Sequence, residues 1–319
     1  MHDNAVQTEN LVKRYGQLVA VKGLTLNIRA GEVFGLLGPN GAGKTTSISM
    51  ICGLLKPDAG RVLIHGSPIQ NGDTAARARV GVCPQNVVLW ELLTCLEQLQ
   101  FIGEMYGVNG RLARQRSERL LEELDLADKR NQQARTLSGG MRRRLNIAMA
   151  LVHDPEILVL DEPEAGLDPQ SRVKVREYIQ SLAHKKTILL TTHNMDEAER
   201  VADRVAIIDH GELLVLDTPD ALKRSIGAGD VVEIDLKDRQ PDIASRVREV
   251  LAQAGLAERV TLLEATADSA SFRALDAVSQ LPPLLNGLAA AGMRCGEVRM
   301  RPNTLEDVFI QLTGRKLRE

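Results

Sequence analysis

Aromatic side chains are scarce in this 319-residue chain, 3% in all with a single tryptophan. No run approaches the ~18 apolar residues of a membrane span, so a membrane role has to come through a partner. The four cysteines, Cys52, Cys83, Cys95 and Cys295, form no CxxC pair and no Cys/His cluster at metal spacing. They read as free thiols in a reducing cytoplasm. A net charge of −2 gives no argument for nucleic acid or an anionic membrane as partner. Residues 1–10 carry Asp3 and Glu9 and lack an apolar core, so no signal peptide is expected there. There is no internal repeat and no low-complexity stretch.

What remains is ordinary globular material, 44% hydrophobic and 26% charged, long enough for two domains. Residues 6 to about 218 alternate strand-like and helix-like stretches, the pattern of a mainly parallel sheet under helices. The apolar runs 33–37, 157–160, 188–190 and 205–208 read as strands buried on both faces. Ser138 to Val152 reads as a helix, and Asp209-His210-Gly211 as a turn between two strands. A break at Ile226-Gly227-Ala228-Gly229 separates a domain over 1–224 from another over 230–319. The second reads β-α-β-β-α-β, the ferredoxin-like order, with helices expected at 242–254 and 283–291. A last helix, Leu305 to Leu312, follows the cap Pro302-Asn303-Thr304.

The stretch Gly38-Pro39-Asn40-Gly41-Ala42-Gly43-Lys44-Thr45-Thr46 contains Gly-x-x-x-x-Gly-Lys-Thr between a strand-like run and a helix. That context separates a phosphate loop from a glycine-rich turn. Its glycines let the backbone aim N–H groups inward as an anion nest, and the helix adds its positive end. Lys44 can then reach the β/γ-phosphates and the Thr45 hydroxyl can ligate magnesium.

The run Ile157 to Leu160 ends in Asp161 and Glu162, at the carboxyl end of a strand where ligands of parallel sheets sit. Adjacent strand residues face opposite ways. Asp161 suits the magnesium shell, and Glu162 suits a base or orienter for attacking water. His193 ends the strand that starts at Thr187, on the same edge, where it can donate to transition-state charge. Gln85 follows another strand running into a loop. Leu137-Ser138-Gly139-Gly140-Met141 opens a helix: Ser138 is a good N-cap, and the glycine pair permits very close backbone approach.

Taken in order, Tyr15, GPNGAGKTT, Gln85, LSGGM, LVLDEP, Gly166-Leu167-Asp168 and His193 resemble the ATP-binding cassette of ABC transporters over about two-thirds of the chain. The resemblance implies an α/β P-loop NTPase whose mainly parallel sheet carries antiparallel strands and a helical subdomain. It implies ATP and Mg2+, with two cassettes clamping two ATP molecules head to tail. Ser138, Gly139 and Gly140 would then meet the partner's γ-phosphate, and Asp168 would link the halves. Tyr15 would stack on adenine, Gln85 would sense magnesium and γ-phosphate, and His193 would hold that phosphate. LSGGMRRRL and the tail from Asn303 to Gly314 are similar to daunorubicin-resistance-type exporter ATPases. Such subunits sit peripherally on the cytoplasmic face of the membrane and drive separate integral permease subunits that export drugs, lipids or polysaccharides. The ATPase need not touch the cargo.

Three positions leave alternatives open. Glu164 stands where the family commonly has Thr; it faces either Glu162, whose pKa it would raise, or solvent. The run Arg142–Arg144 is either a solvated helix face or support beneath the signature segment. Trp90, with Leu89, is either core or an anchor for the membrane subunit. For the whole chain, the alternatives to an exporter are an importer subunit with a regulatory C-terminal domain, and a non-transport cassette acting on ribosomes or DNA. A single cassette with no heptad insert and no basic balance argues against the last of these.

Overall fold

The structure, a computed structural model, describes residues 3–69, 76, 78–237 and 242–314. The chain forms two compact units that divide between Pro219 and Asp220. The division thus falls ahead of the expected break at 224–230. Asn303 explains this, because its side-chain amide donates to the carbonyls of Lys223, Gly227 and Gly229 at 3.5, 3.0 and 3.3 Å. Arg273 donates to Ile226 O at 2.5 Å and to Asn303 Oδ1 at 3.1 Å. The connecting segment is therefore laced into the second unit.

The first unit holds a six-stranded sheet in the order β10-β9-β3-β8-β7-β6. Its strands are β3 (Val33–Leu37), β6 (Val80–Cys83), β7 (Ile157–Asp161), β8 (Thr187–Thr192), β9 (Arg204–Asp209) and β10 (Glu212–Asp217). All pairs are parallel except β9 with β10. That last hairpin turns through His210 (φ 47°) and Gly211 (φ 80°), the left-handed pair a tight turn between twisted strands requires.

Register is what builds the site. Leu37 pairs with Thr192, Asp161 with Thr191 and Cys83 with Leu160, so four strands end on one edge of the sheet. The phosphate loop, Gln85, Glu162 and His193 each follow one of those ends. β3, β7 and β8 are buried along their whole length, as continuous apolar runs in a covered parallel sheet must be.

A second sheet, order β2-β1-β4-β5, is antiparallel, with β1 (Asn4–Tyr15), β2 (Leu18–Arg29), β4 (Ala59–Ile64) and β5 (Ser67–Pro68). Val6, Leu26, Ile28, Phe34, Ile51 and Val159 belong to one buried cluster spanning both sheets and the helix Lys44–Ile51. Each such side chain contributes about 1.5–3 kcal/mol of burial, so the loop between β3 and that helix is anchored at both ends. Three helices pack together as a helical portion: Cys95–Met105, Gly110–Glu123 and Gly139–Leu151. The first starts with a reciprocal cap, Thr94 with Glu97, and the third is N-capped by Ser138.

The second unit is ferredoxin-like. β11 (Asp230–Leu236), β12 (Val260–Ala265), β13 (Ser269–Ala274) and β14 (Cys295–Arg301) form an antiparallel sheet in the order β12-β13-β11-β14. Helices Ile243–Gln253 and Ala277–Ala290 pack with it around Val232, Ile234, Val247, Phe272, Leu284 and Leu288. The second of these begins at Ala277, not at Pro283 as the sequence suggested, and runs through Pro282 and Pro283. Ala277, Gln280, Leu284 and Leu288 recur at helical spacing on its buried face, and that packing overrides the hydrogen bonds the prolines remove. The final helix, Leu305–Thr313, carries a capping box between Thr304 and Asp307, and a bidentate Arg301 holds Asp307 in turn.

Candidate nucleotide site

The phosphate loop runs from buried Gly38 to Gly43, which N-caps the helix Lys44–Ile51 at φ 100°, a conformation open to glycine. A Cβ on Gly43 would stand 2.5 Å from Ala20 O of β2. Only glycine lets the loop lie that close. Pro39, Asn40, Gly41 and Ala42 form the body of the loop, with Asn40 and Gly41 exposed, while Thr45 and Thr46 open the helix beyond it. The exposed turn followed by a helix N-terminus is an anion-binding arrangement.

Lys44 is 6% exposed, and its Nζ donates to Gly38 O at 2.7 Å and Pro39 O at 3.1 Å. Burial holds its pKa below the ordinary lysine value, opposed by the nearby Glu162 and Asp161 charges. The 3.9 Å separation of its Nζ from Glu162 Oε1 places cation and carboxylate across the site from each other.

Glu162 draws the sequence-predicted residues together. Its Oε1 lies 3.0 Å from His193 Nδ1, and its Oε2 accepts from Gln85 Nε2 at 3.2 Å. It is 7% exposed, whereas half of the His193 side chain faces solvent. The Glu162 backbone is left-handed, φ 48°, a conformation costing a non-glycine residue about 1–3 kcal/mol. Its N–H is held by both Thr191 O and Thr191 Oγ1, each at 3.1 Å. A cavity of about 140 Å³ opens beside Glu162 and His193, room for several waters.

Asp161, the last residue of β7, meets different partners because the chain turns left-handed at Glu162 immediately after it. Its Oδ2 accepts from Thr45 Oγ1 at 3.3 Å, and its Oδ1 accepts from Thr191 Oγ1. A hydroxyl beside a carboxylate is a hard-oxygen set that suits magnesium. No cluster of three or more His, Cys, Asp or Glu ligands exists among the described residues. Such an ion would therefore need phosphate and water oxygens to complete its shell.

The signature segment stands apart. No hydrogen bond joins residues 138–140 to the phosphate loop among the described residues. Ser138 caps its own helix by accepting from Met141 N at 3.3 Å. Gly139 is exposed with open space where a side chain would project, but a Cβ on Gly140 would fall 2.1 Å from Ser171 Oγ. The close approach at Gly140 is thus to its own chain. Asp168 likewise caps the helix Pro169–Leu182, accepting from Ser171 N at 3.0 Å and Ser171 Oγ at 2.6 Å, and these bonds lower its pKa. Tyr15 ends β1, half-exposed, with the Lys13 ammonium 5.9 Å from its ring centroid.

Glu164 does not face solvent; it borders the same cavity as Glu162, but its charge partner is Arg176. It is 3% exposed and forked onto Arg176, with Nε to Oε1 at 3.1 Å and Nη2 to Oε2 at 2.7 Å. Burial first and the Glu164 charge second push up the carboxyl of Glu197. Glu164→Thr is expected to destabilise the fold, because breaking a buried pair strands its partner. The loss should be near or below the lower end of about 3–5 kcal/mol, since Arg176 keeps some contact with water. Chemical denaturation measures it; an unchanged midpoint would refute the pairing.

Sequence reasoning missed Thr191, whose hydroxyl serves both acids; of the two alternatives for Arg142–Arg144, the structure gives Arg143 the supporting one, buried behind the helix start. A polar residue near the end of the apolar run 188–190 was the available signal for Thr191; the carbonyls that Arg143 meets carry none in the sequence. Trp90 is not core: it is 42% exposed, edge-on to Phe101 at 5.3 Å, with Val88, Leu92 and Met105 also exposed.

Comparison with known proteins places these features in context. Residues 21–165 match the family described as "ABC transporter". The chain is 42% identical to the Nod factor export ATP-binding protein I of Ralstonia nicotianae, over 98% of this chain and 95% of that one. It is 37% identical to the daunorubicin resistance ATP-binding protein DrrA3 of Streptomyces coeruleorubidus, over 100% and 99%. Among solved structures, a dimeric bacterial ABC transporter cassette aligns with TM-score 0.62 and 28% identity, covering 67% of this chain and 98% of that one.

Proposed function

This chain belongs to the ABC transporter ATP-binding family as an ATP-hydrolysing subunit of the export type, and we propose that it works as a homodimer beneath separate integral membrane permease subunits. The observation that carries this reading is the whole-length likeness to export ATP-binding proteins, second unit included, at 98–100% of the chain. Among the described residues no helix is long and apolar enough to cross a membrane. In this reading the chain associates peripherally with the permease subunits, at the cytoplasmic face of the membrane. The exported cargo is a drug, lipid or polysaccharide that this subunit need not contact. The ferredoxin-like unit is an accessory or dimer-stabilising domain.

In this reading the residues 38–46 hold the phosphates of ATP, with loop N–H groups and Lys44 exchanging the Gly38 and Pro39 carbonyls for phosphate oxygens. Glu162 orients a water from the adjoining cavity and takes its proton as the oxygen bonds to the γ-phosphorus. The bond to the ADP oxygen breaks. His193 donates to the γ-phosphate oxygens, and Gln85 keeps the water and Glu162 in line. Thr45, Asp161 and Gln85 would hold Mg2+, which when bound neutralises charge on the β- and γ-phosphate oxygens. Ser138, Gly139 and Gly140, remote in hydrogen bonding from their own phosphate loop, complete the partner's site instead, Asp168 lies at the junction, and Tyr15 stacks on adenine.

Affinity purification of the full chain from solubilised membranes, with identification of what accompanies it, tests the assembly. An integral membrane protein is expected; ribosomes, DNA or a solute-binding import complex would contradict it. Trp90 with Leu89 and the exposed Val88, Leu92 and Met105 form the docking face. Trp90→Ala should therefore reduce recovery of the membrane partner at least tenfold, as loss of an aromatic anchor worth about 2 kcal/mol does. Its intrinsic ATPase rate should be unchanged. Undiminished recovery would remove Trp90 from the interface.

A further inference from the structure

The mechanism leaves a buried cation unexplained. Arg143 is 2% exposed and has no carboxylate partner among the described residues. All five of its N–H donors go to main-chain carbonyls. Nε donates to Pro163 O at 3.0 Å, Nη1 to Pro84 O at 2.6 Å and Gln85 O at 3.0 Å, and Nη2 to Asp161 O at 2.7 Å and Glu162 O at 2.8 Å. Those carbonyls come from two segments far apart in sequence, the loop that carries Gln85 and the turn that carries Glu162. The guanidinium sits between them like a rivet.

Glu162 is also the residue in the left-handed backbone conformation. Such a conformation persists only where its surroundings over-determine it. Thr191 holds its N–H and Arg143 holds its C=O, so the turn is gripped from both sides. Without the second grip the peptide can rotate, swinging the carboxylate away from His193 and Gln85.

We propose that Arg143 is a positioning residue for hydrolysis, fixing the loop of Gln85 and the turn of Glu162 to the helix that begins at Ser138, so that both side chains meet at one point. The proposal rests on the reading of Glu162 and Gln85 as the hydrolytic pair. Because the same helix starts with the signature segment, whatever touches that segment is mechanically joined to this chain's own Glu162. Lysine cannot substitute, since its compact ammonium has three donors where the planar fork reaches five carbonyls.

The test uses the full chain carrying Arg143→Lys or Arg143→Gln, with Arg144→Gln as control. Arg144 is also buried on the same helix but donates to the carbonyls of Leu124 and Asp125 and pairs with the Asp125 carboxylate, away from the site. The Arg143 variants should keep ATP affinity within a few-fold while kcat falls about 100-fold, the cost of misplacing a reacting group by about 1 Å. Arg144→Gln should lower the melting temperature and spare kcat. Adding Arg143→Lys to Glu162→Gln should slow turnover no further, because one acts through the other. Wild-type kcat in Arg143→Lys, parallel losses of affinity and kcat, additivity with Glu162→Gln, or failure of both Arg143 variants to fold where Arg144→Gln folds would each overturn it. Wild-type turnover by Glu162→Gln would instead remove the assignment beneath it, and a crippled Glu162→Gln beside an intact Arg143→Lys would remove Arg143 alone.

Discussion

Glu162→Gln should lose ATP turnover by about 10²- to 10⁴-fold, the span a positioned proton acceptor provides, while still binding nucleotide. Glutamine is nearly isosteric, so it can keep the contacts to His193 and Gln85 and demands the same left-handed backbone. What it lacks is a basic oxygen to receive the proton of water. It also removes a carboxylate from beside an incoming triphosphate, which relieves like-charge repulsion and favours the bound state. With hydrolysis blocked, ATP should hold two copies together. Size-exclusion chromatography with and without ATP reads this directly, as a monomer converting to a dimer that persists. Turnover at the wild-type rate would strip Glu162 of its role; loss of turnover without an ATP-dependent dimer would challenge the head-to-tail assembly instead.

Lys44→Ala acts one step earlier. The ammonium is 6% exposed, and two loop carbonyls hold it close to the phosphate nest. Its burial lowers the pKa, a penalty on the charged form that an adjacent triphosphate would repay. Removing it forfeits a charge-assisted contact worth about 1.5–3 kcal/mol, roughly 10- to 150-fold in ATP dissociation constant. Titration with a fluorescent ATP analogue checks this. Equilibrium affinity, not turnover alone, has to fall: an unaltered dissociation constant would mean the lysine serves only the transition state. The pair of variants separates binding from chemistry, since Glu162→Gln retains ATP and Lys44→Ala loses it.

The fold class, and which residues gather at the candidate site, were largely legible in the chain because both depend on local order. A phosphate loop is a contiguous turn between a strand and a helix, so nine consecutive residues carry its whole geometry. That Asp161 and Glu162 end an apolar run together was visible in the sequence, but their different partners come from the left-handed turn at Glu162 just past the strand, not from strand alternation. The β-α-β-β-α-β order of the second unit follows from apolar periodicity alone.

Other features depend on which segments meet, and no local pattern records that. Three consecutive arginines fit a solvated face as well as a support beneath the signature segment, and spacing does not choose between them. Arg143 is buried because the helix crosses beneath two strand ends whose carbonyls need donors. Glu164 looks free to reach Glu162 until Arg176, one helix away, takes both of its oxygens. The unit boundary moved for the same reason, since Asn303 reaches back to carbonyls at 223–229. Local chemistry is written in the spacing of residues along the chain. The partner of a buried charge or amide is set by the cost of leaving it unpaired, and that cost is settled only when distant segments are brought together.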